Sequence, residues 1–293
     1  MSVKFAAPSG RFGGHFPGLT DGMGGLTKKI IKTATWNVNS VGQRLDRLLA
    51  FLDREAPDFL CLQELKGADE KFPMEAVVAA GYQAEVFGQK AYNGVAILSK
   101  IKPVSVTRNF GDGVDDPAAR FISATYELKT GTKPLTVMCG YFPNGQSIGS
   151  EKYIYKLEWF QRLRKYLDTH HKPDDLLALV GDFNVAPADI DVYDPVAWRE
   201  HIHTSIRERQ ALHQIVGFGL VDTFRHLNPD DPGYSWWDYR QMSFVQNKGL
   251  RIDLIYATAP LAELCRDVRV DRNERKGEKP SDHAPVIAAF ELP

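Results

Sequence analysis

The sequence predicts an α/β fold in which packed β-sheets carry helices on their outer faces. Short apolar, β-favouring runs recur along the chain, and only a few stretches are long and periodic enough to be helices. The two kinds of segment interleave irregularly, without an internal repeat, which argues for packed sheets rather than a solenoid or a bundle. With 293 residues, 43% of them hydrophobic, the chain is long enough to bury one continuous core.

Residues 1–28 contain Gly10, Gly13, Gly14, Gly18, Gly22, Gly24 and Gly25 without a sustained hydrophobic period, and read as a flexible leader to a single folded domain over 29–293. A β-favouring run over 30–37 breaks at Asn37-Val38-Asn39-Ser40. Leu45, Leu48, Leu49 and Leu52 then mark one face of a helix. Residues 58–62 read as a buried strand ending at Gln63-Glu64, and 94–98 and 121–128 as further strands. The run 135–141 is stopped by Phe142-Pro143-Asn144-Gly145. Ser150 can cap a long helix whose apolar side carries Ile154, Leu157, Phe160, Leu163 and Leu167. The most apolar strand, 176–180, leads into Gly181-Asp182-Phe183-Asn184. A helix over 207–216 closes at Gly217 and Gly219, and strands are expected at 250–257, 264–270 and 284–290.

Composition narrows the function classes. No stretch approaches the roughly 20 apolar residues of a membrane span, and the N-terminus lacks the apolar block of a secretory signal. Cys61, Cys139 and Cys265 cannot all pair, and their spacing is unlike a zinc site. Small buried hydrophobes in a reducing compartment fit them, so a soluble cytoplasmic protein is expected. A net charge of −1 gives no global pull on nucleic acid. A partner of that kind would need cations gathered on one face, and the candidates are Arg44 with Arg47, Lys152 with Lys156, Lys248 with Arg251, and 272–279.

The chemistry gathers where strands end. Asn37 and Asn39, Glu64, and Asp182 and Asn184 all terminate apolar runs. Asp253 interrupts the strand 250–257, and Asp282-His283 precedes the last one. Asn37 with Asn39, and Asp182 with Asn184, are two residues apart, so each pair faces one side in extended chain. Hard oxygen donors with one imidazole suit magnesium and phosphate rather than zinc. An acid at 253 among Leu250, Ile252, Leu254 and Ile255 is costly unless paired, and Arg251 is one available partner.

The segments TWNVNS (35–40), LQELK (62–66), GYFPNG (140–145), GDFNVAP (181–187), GLVDTFRH (219–226), YSWWDYR (234–240), GLRIDLIYA (249–257) and KPSDHAPV (279–286) occur in this order. Together they make the chain similar, from about residue 30 to its end, to the exonuclease III family of abasic-site endonucleases, within the DNase I-like metal-dependent phosphodiesterases. The resemblance implies a four-layer α/β sandwich, two packed mixed sheets flanked by helices, with one catalytic domain over 29–293. It implies magnesium, with manganese as a substitute, held by Glu64 with Asn37, Asn39, Asp182, Asn184, Asp282 and His283 around it. It implies catalytic roles for Asp182 (activating water), Asn184 and Tyr141 (donors to the phosphate), and His283 steadied by Asp253. The implied substrate is double-stranded DNA with abasic sites or 3′ termini, taken by a monomer. Trp236, Leu250 and Ile252 would line a pocket for a base-less sugar, and Arg44, Gln43 and Lys66 would border the DNA. Each residue also has a plainer reading: a strand-end acid for Glu64, a turn residue for Asp182 or Asn184, a core aromatic for Tyr141, Trp236 or Trp237. Two departures stand out. Gly42 lies where many relatives carry a larger side chain, and Asn39 where some carry Asp.

Overall fold

Strands and helices alternate through residues 29–128 and 133–293, the part of the chain that the computed structural model describes; the expected leader over 1–28 lies outside the described residues. In order these are β1 (Lys29–Asn37), α1 (Leu45–Glu55), β2 (Phe59–Gln63), α2 (Met74–Ala79), β3 (Gln83–Phe87), β4 (Val95–Ser99), β5 (Ser105–Arg108), β6 (Phe121–Tyr126), β7 (Leu135–Tyr141) and α3 (Glu151–His170). There follow β8 (Leu176–Asp182), α4 (Ile206–Val216), β9 (Leu220–Asp222), α5 (Thr223–Leu227), β10 (Asp253–Thr258), α6 (Ala259–Ala262), β11 (Cys265–Val270) and β12 (Val286–Leu292).

The strands form two six-stranded sheets, ordered β11-β12-β1-β2-β4-β3 and β5-β6-β7-β8-β10-β9. Each is mixed: β1–β2 and β7–β8 are parallel, and the other pairs antiparallel. The pleat sorts the side chains. Alternate residues such as Ile31, Phe59, Cys61, Val137, Cys139, Ala178, Val180, Ile255 and Ala288 meet in one core between the sheets. The intervening residues of the first sheet, Ala34, Trp36, Leu60 and Leu98 among them, pack under Leu48, Phe51 and Leu52 of α1 and Val77 of α2. Those of the second sheet, including Met138, Leu177, Leu179 and Leu254, pack under Trp159, Phe160 and Leu163 of α3 and Leu212 and Ile215 of α4. The result is the expected four-layer sandwich.

Local signals explain the helix ends. Ser150 caps α3 by accepting from the Tyr153 N–H, and Ser205 with Glu208 forms a capping box at α4. The buried stripe of α3 runs through Tyr153, Lys156, Phe160, Leu163 and Leu167, so Ile154, one residue off that stripe, is exposed rather than buried as expected. Periodicity misses β3, β5 and β9 because all three lie at sheet edges, where half the backbone faces outward and the apolar pattern fades. Asp253 opens β10 instead of interrupting a longer strand. The residues before it belong to the rim, where Leu250 bridges Val192 and Trp236.

Burial also removes three cations from the expected charge clusters: Lys156, Arg251 and Arg275 are buried. Arg251 does not pair with Asp253. Its guanidinium reaches Asp191 through Nε at 2.7 Å and Asp222 through Nη2 at 2.8 Å. Cys61, Cys139 and Cys265 are free and buried. No helix among the described residues is long and apolar enough to cross a membrane.

Candidate active site

The inward-facing rows of the two sheets turn polar at one end. On β1 the row Ile31, Thr33, Thr35 ends at Asn37; on β7, Leu135, Val137 and Cys139 end at Tyr141; on β8, Leu176, Ala178 and Val180 end at Asp182. Register then makes neighbours of residues far apart in sequence. Tyr141 pairs with Asp182 along the parallel β7–β8 ladder, and Asp253 with Asp182 along antiparallel β8–β10. A Cβ on Gly181 would lie 1.9 Å from the Gly140 carbonyl oxygen, and its φ is +151°. The close approach of β7 and β8 just before the site therefore requires glycine there.

Glu64, Asp182 and His283 each present a potential ligand atom, all within 4.8 Å of one another. Asn37 ties the two sheets together at this point. Its Nδ2 donates to Glu64 Oε1 and to Asp182 Oδ2, both at 2.9 Å. The Tyr141 hydroxyl donates to Glu64 Oε1 at 2.9 Å, and the Lys66 ammonium lies 2.7 Å from Glu64 Oε2. Burial would raise the Glu64 carboxyl, but the hydrogen bonds from Asn37 and Lys66 and the charges of Lys66 and His283 outweigh it and hold it below its ordinary value. Burial, reinforced by Glu64 and Asp182, pushes the Tyr141 phenol well above its usual range, so it keeps its proton as a donor. Arg120 lies over the Tyr141 ring at 4.8 Å and donates to the Tyr141 carbonyl.

Asp182 is 1% exposed, and burial pushes its carboxyl up to about 7, against the pull of His283. His283 answers in the opposite sense. Burial would lower its ring, but Asp253 first and Asp182 second raise it to about 10. Nδ1 lies 2.8 Å from Asp253 Oδ2, and Nε2 lies 3.8 Å from Asp182 Oδ2. Ser235, which sequence reasoning missed, completes this arm by donating to Asp253 Oδ2 at 2.6 Å while accepting from the Asp253 N–H. Its only sequence signal was membership in the 234–240 motif.

The two-apart pairs are not extended. Asn39 and Asn184 adopt left-handed φ values of 46° and 51°, and each donates its N–H back to a side-chain oxygen two residues earlier, Asn37 Oδ1 and Asp182 Oδ1. Asparagine tolerates this conformation, and the same short turn thus serves both sheets. Glu64 and Lys66 are left-handed as well, a concentration of strain at one rim. Asn184 Nδ2 donates to the Phe142 carbonyl at 3.0 Å and, more weakly, to Asp182 Oδ2 at 3.3 Å; its Oδ1 accepts from Asn144 Nδ2.

The outer residues divide. Asp282 lies beside the tight cluster, with one oxygen taking Asn39 Nδ2 at 2.9 Å and the other Trp236 Nε1 at 3.1 Å. Burial would raise its carboxyl, but the His283 charge and these two bonds hold it low. Trp236 packs, half-buried, on an apolar cluster of Leu250, Ile252, Ala186 and Val192, so Leu250 and Ile252 are fully covered floor beneath the tryptophan rather than open wall. A cavity of about 310 Å³ opens beside Trp236, lined also by Tyr193, Trp198, Arg240 and Lys248. Trp237 is core. Arg44 fastens the rim to itself, donating to the carbonyls of Asn39 and Pro280 and to the Tyr239 hydroxyl, while Gln43 and Gly42 beside it are exposed.

Residues 34–283 match the endonuclease/exonuclease/phosphatase family. The chain is 38% identical over 268 residues to the exodeoxyribonuclease III of Haemophilus influenzae, covering 89% of this chain and 100% of that one. A 3′ phosphatase from Neisseria, solved with a product DNA hairpin, is 42% identical with a TM-score of 0.83, covering 89% of this chain and 99% of the other. An AP endonuclease from Archaeoglobus fulgidus is 38% identical with a TM-score of 0.84, over 89% and 99% of the two chains. Sequence, fold and the rim geometry agree: the chain belongs to the endonuclease/exonuclease/phosphatase family, in its exonuclease III branch.

Proposed function

We propose that this protein is a magnesium-dependent DNA-repair nuclease that hydrolyses phosphodiester bonds of double-stranded DNA, 5′ to abasic sites and at 3′ ends, leaving a 3′-hydroxyl. The observation that carries this reading is the meeting of Glu64, Asp182 and His283 within 4.8 Å, with Asp253 fixed behind the imidazole.

The donor set fits a hard divalent cation. Glu64 is held ionised, its neighbours are carboxylate and carboxamide oxygens, and the cysteines are buried elsewhere. Glu64 would hold the ion, with Asn37, Asn39 and Asp282 around it and Asp182 and Asn184 at the margin. When bound, magnesium supplies positive charge to the phosphate and lowers the pKa of coordinated water. We place His283 with the phosphate contacts: its Nδ1 is held by Asp253 at 2.8 Å, and the flanking acids favour the protonated, cationic ring.

Acid–base roles follow from the same two groups. We assign the base to Asp182, whose carboxylate reaches the open rim 3.8 Å from His283 Nε2, while Asp253 and Asp182 raise the His283 ring above its ordinary value and favour its protonated form. The partner of Asp182 across the β7–β8 ladder, Tyr141, offers its phenol proton to a phosphate oxygen. Asn184 Nδ2, anchored on the Phe142 carbonyl and only 3.3 Å from Asp182, directs its second N–H to the same region and is the other donor to the phosphate. A preorganised donor of this kind contributes roughly 3–4 kcal/mol where charge accumulates. A base-less sugar turned out of the stack would lie against Trp236, whose indole is fixed to Asp282 at the edge of the cluster. Three buried free thiols fit a reducing compartment such as the cytoplasm.

The test is one duplex series bearing an abasic site, a 3′-phosphate or a recessed 3′ end, with and without magnesium. Magnesium-dependent cleavage leaving 3′-hydroxyl ends is expected. Turnover of inositol phosphates in place of every duplex, or binding to DNA without turnover, overturns the reading.

A further inference from the structure

Lys156 and Glu208 form a wholly buried ion pair, each 0% exposed, that none of the chemistry above uses. Lys156 projects from α3 and Glu208 from the first turn of α4, and the ammonium lies 2.5 Å from Glu208 Oε1. The other two ammonium protons go to backbone carbonyls, Asn184 at 2.8 Å and Asn144 at 3.2 Å. All three donors of the lysine are therefore spent. We propose that Lys156 and Glu208 are positioning residues for the reaction, holding the Asn184 backbone, and through it the carboxamide, in the orientation used at the phosphate. The proposal rests on the role given to Asn184 above.

The helices do not need this lysine. Glu208 closes the α4 capping box through Oε2, which accepts from the Ser205 N–H and hydroxyl, and its Oε1 also accepts the His203 N–H. A glutamine at that position keeps the Ser205 contacts through its one oxygen with no cation nearby, and gives up only the His203 N–H contact. Nor does the core gain from the pair. Burial draws the Lys156 ammonium below its ordinary pKa despite the Glu208 charge. Replacing a buried ion pair with neutral side chains of similar volume is often neutral or stabilising.

What the pair does reach is specific. Asn184 is in the left-handed region, so its carbonyl turns away from the sheet ladder into the interior, where a bare acceptor is costly. Lys156 and His203 Nδ1 both answer that carbonyl. The same ammonium anchors Asn144, whose side chain donates to Asn184 Oδ1 at 3.2 Å. One buried cation thus pins the main chains of two asparagines whose side chains meet at the site. The loop is packed against its stem: a Cβ on Gly145 would lie 3.1 Å from Lys156 Cδ.

The experiment compares the full-length protein with Lys156→Met/Glu208→Gln, with Asn184→Ala, and with the triple combination, on a duplex the parent cleaves. Melting temperature, kcat and KM are read for each. The double variant leaves the Asn144 carbonyl without its donor and is expected to stay folded while melting below the parent, to lose at least about tenfold in kcat and to keep KM within about threefold. In the Asn184→Ala background the double substitution is expected to cost nothing further, because its route to the reaction is gone. Parental kcat in the double variant, or losses that multiply in the triple, overturns the proposal. If Asn184→Ala alone turns over normally, the reading of Asn184 fails and the proposal with it. A slow Asn184→Ala beside a fast double variant sinks only the positioning role. Should the double variant melt below the parent, kcat and KM are read for all variants at a temperature where its own melting curve shows it folded: kcat reduced, KM held and no added loss with Asn184→Ala are expected, and parental kcat overturns the proposal.

Discussion

Asp182 and Asp253 stand opposite each other in the antiparallel β8–β10 ladder, two buried carboxyl groups on one face of the sheet. Their mutual repulsion is relieved by the His283 ring, which contacts Asp253 through Nδ1 and faces Asp182 through Nε2. The three groups share one charge balance, and removing any one changes the protonation of the others.

Asp253→Asn leaves the ring buried with its main supporting charge gone. Burial lowers the ring and Asp253, ahead of Asp182, raises it, so the substitution brings the His283 pKa down from about 10. Turnover is expected to fall by roughly 10²–10³, and the alkaline limb of the kcat/KM profile to start at lower pH. A limb at the parental pH would show that Asp253 does not govern this ring.

Asp182→Asn removes the proposed base while keeping the side chain's shape and its place beside Asn37. Cleavage is expected to drop by several orders of magnitude with DNA affinity within a few-fold, since the substitution removes no cation that could neutralise a phosphate. Single-turnover rates and a titration of labelled duplex measure the two quantities separately. Near-normal cleavage removes Asp182 from the mechanism.

Acid should weaken the fold through His203. Burial, reinforced by the Lys156 charge, lowers its ring from 6.5 to about 4. The unfolded chain takes up that proton near 6.5 while the folded one resists it, so stability is whole above pH 6.5 and declines as pH falls towards 4. The loss attributable to this residue approaches about 3 kcal/mol at the acid end. Denaturant midpoints between pH 7.5 and 5 should fall more steeply for the parent than for His203→Gln. Parallel slopes would show that His203 titrates normally in the folded protein.

Binding of duplex DNA should weaken linearly in a plot of log affinity against log salt, because neutralising phosphates releases counterions. The net charge of −1 makes this a demanding test, as only cations gathered on the rim can produce the slope. A flat response would place the DNA elsewhere or deny it a surface at all.

The positions of the reactive groups were legible because a strand whose inward row is apolar for three residues and then polar declares its own end. Tyr141 and Asp182 follow that rule, the break at Asn37-Val38-Asn39-Ser40 marked Asn37, and motif order supplied Glu64, Asn184 and His283. Lys156 shows where legibility stops. On a helix with charged neighbours it looks like a solvated lysine, and its partners Asn184 and Glu208 lie 28 and 52 residues away. Leu250 and Ile252 likewise suggested an open apolar wall, yet Trp236 lies over them.

The alternation of side chains along each strand, and the polar residues at strand ends, are local properties that the chain carries in its own order. Which ends become neighbours depends on strand order and register, set by packing across the whole sandwich. Asn37 reaches Asp182 across 145 residues because β1 and β8 lie in facing sheets, and Asp253 faces Asp182 because β10 runs antiparallel beside β8. The sequence thus determined the chemical groups and the faces they occupy. Only the tertiary structure decided their partners, because pairing energies are summed over contacts that no local window contains.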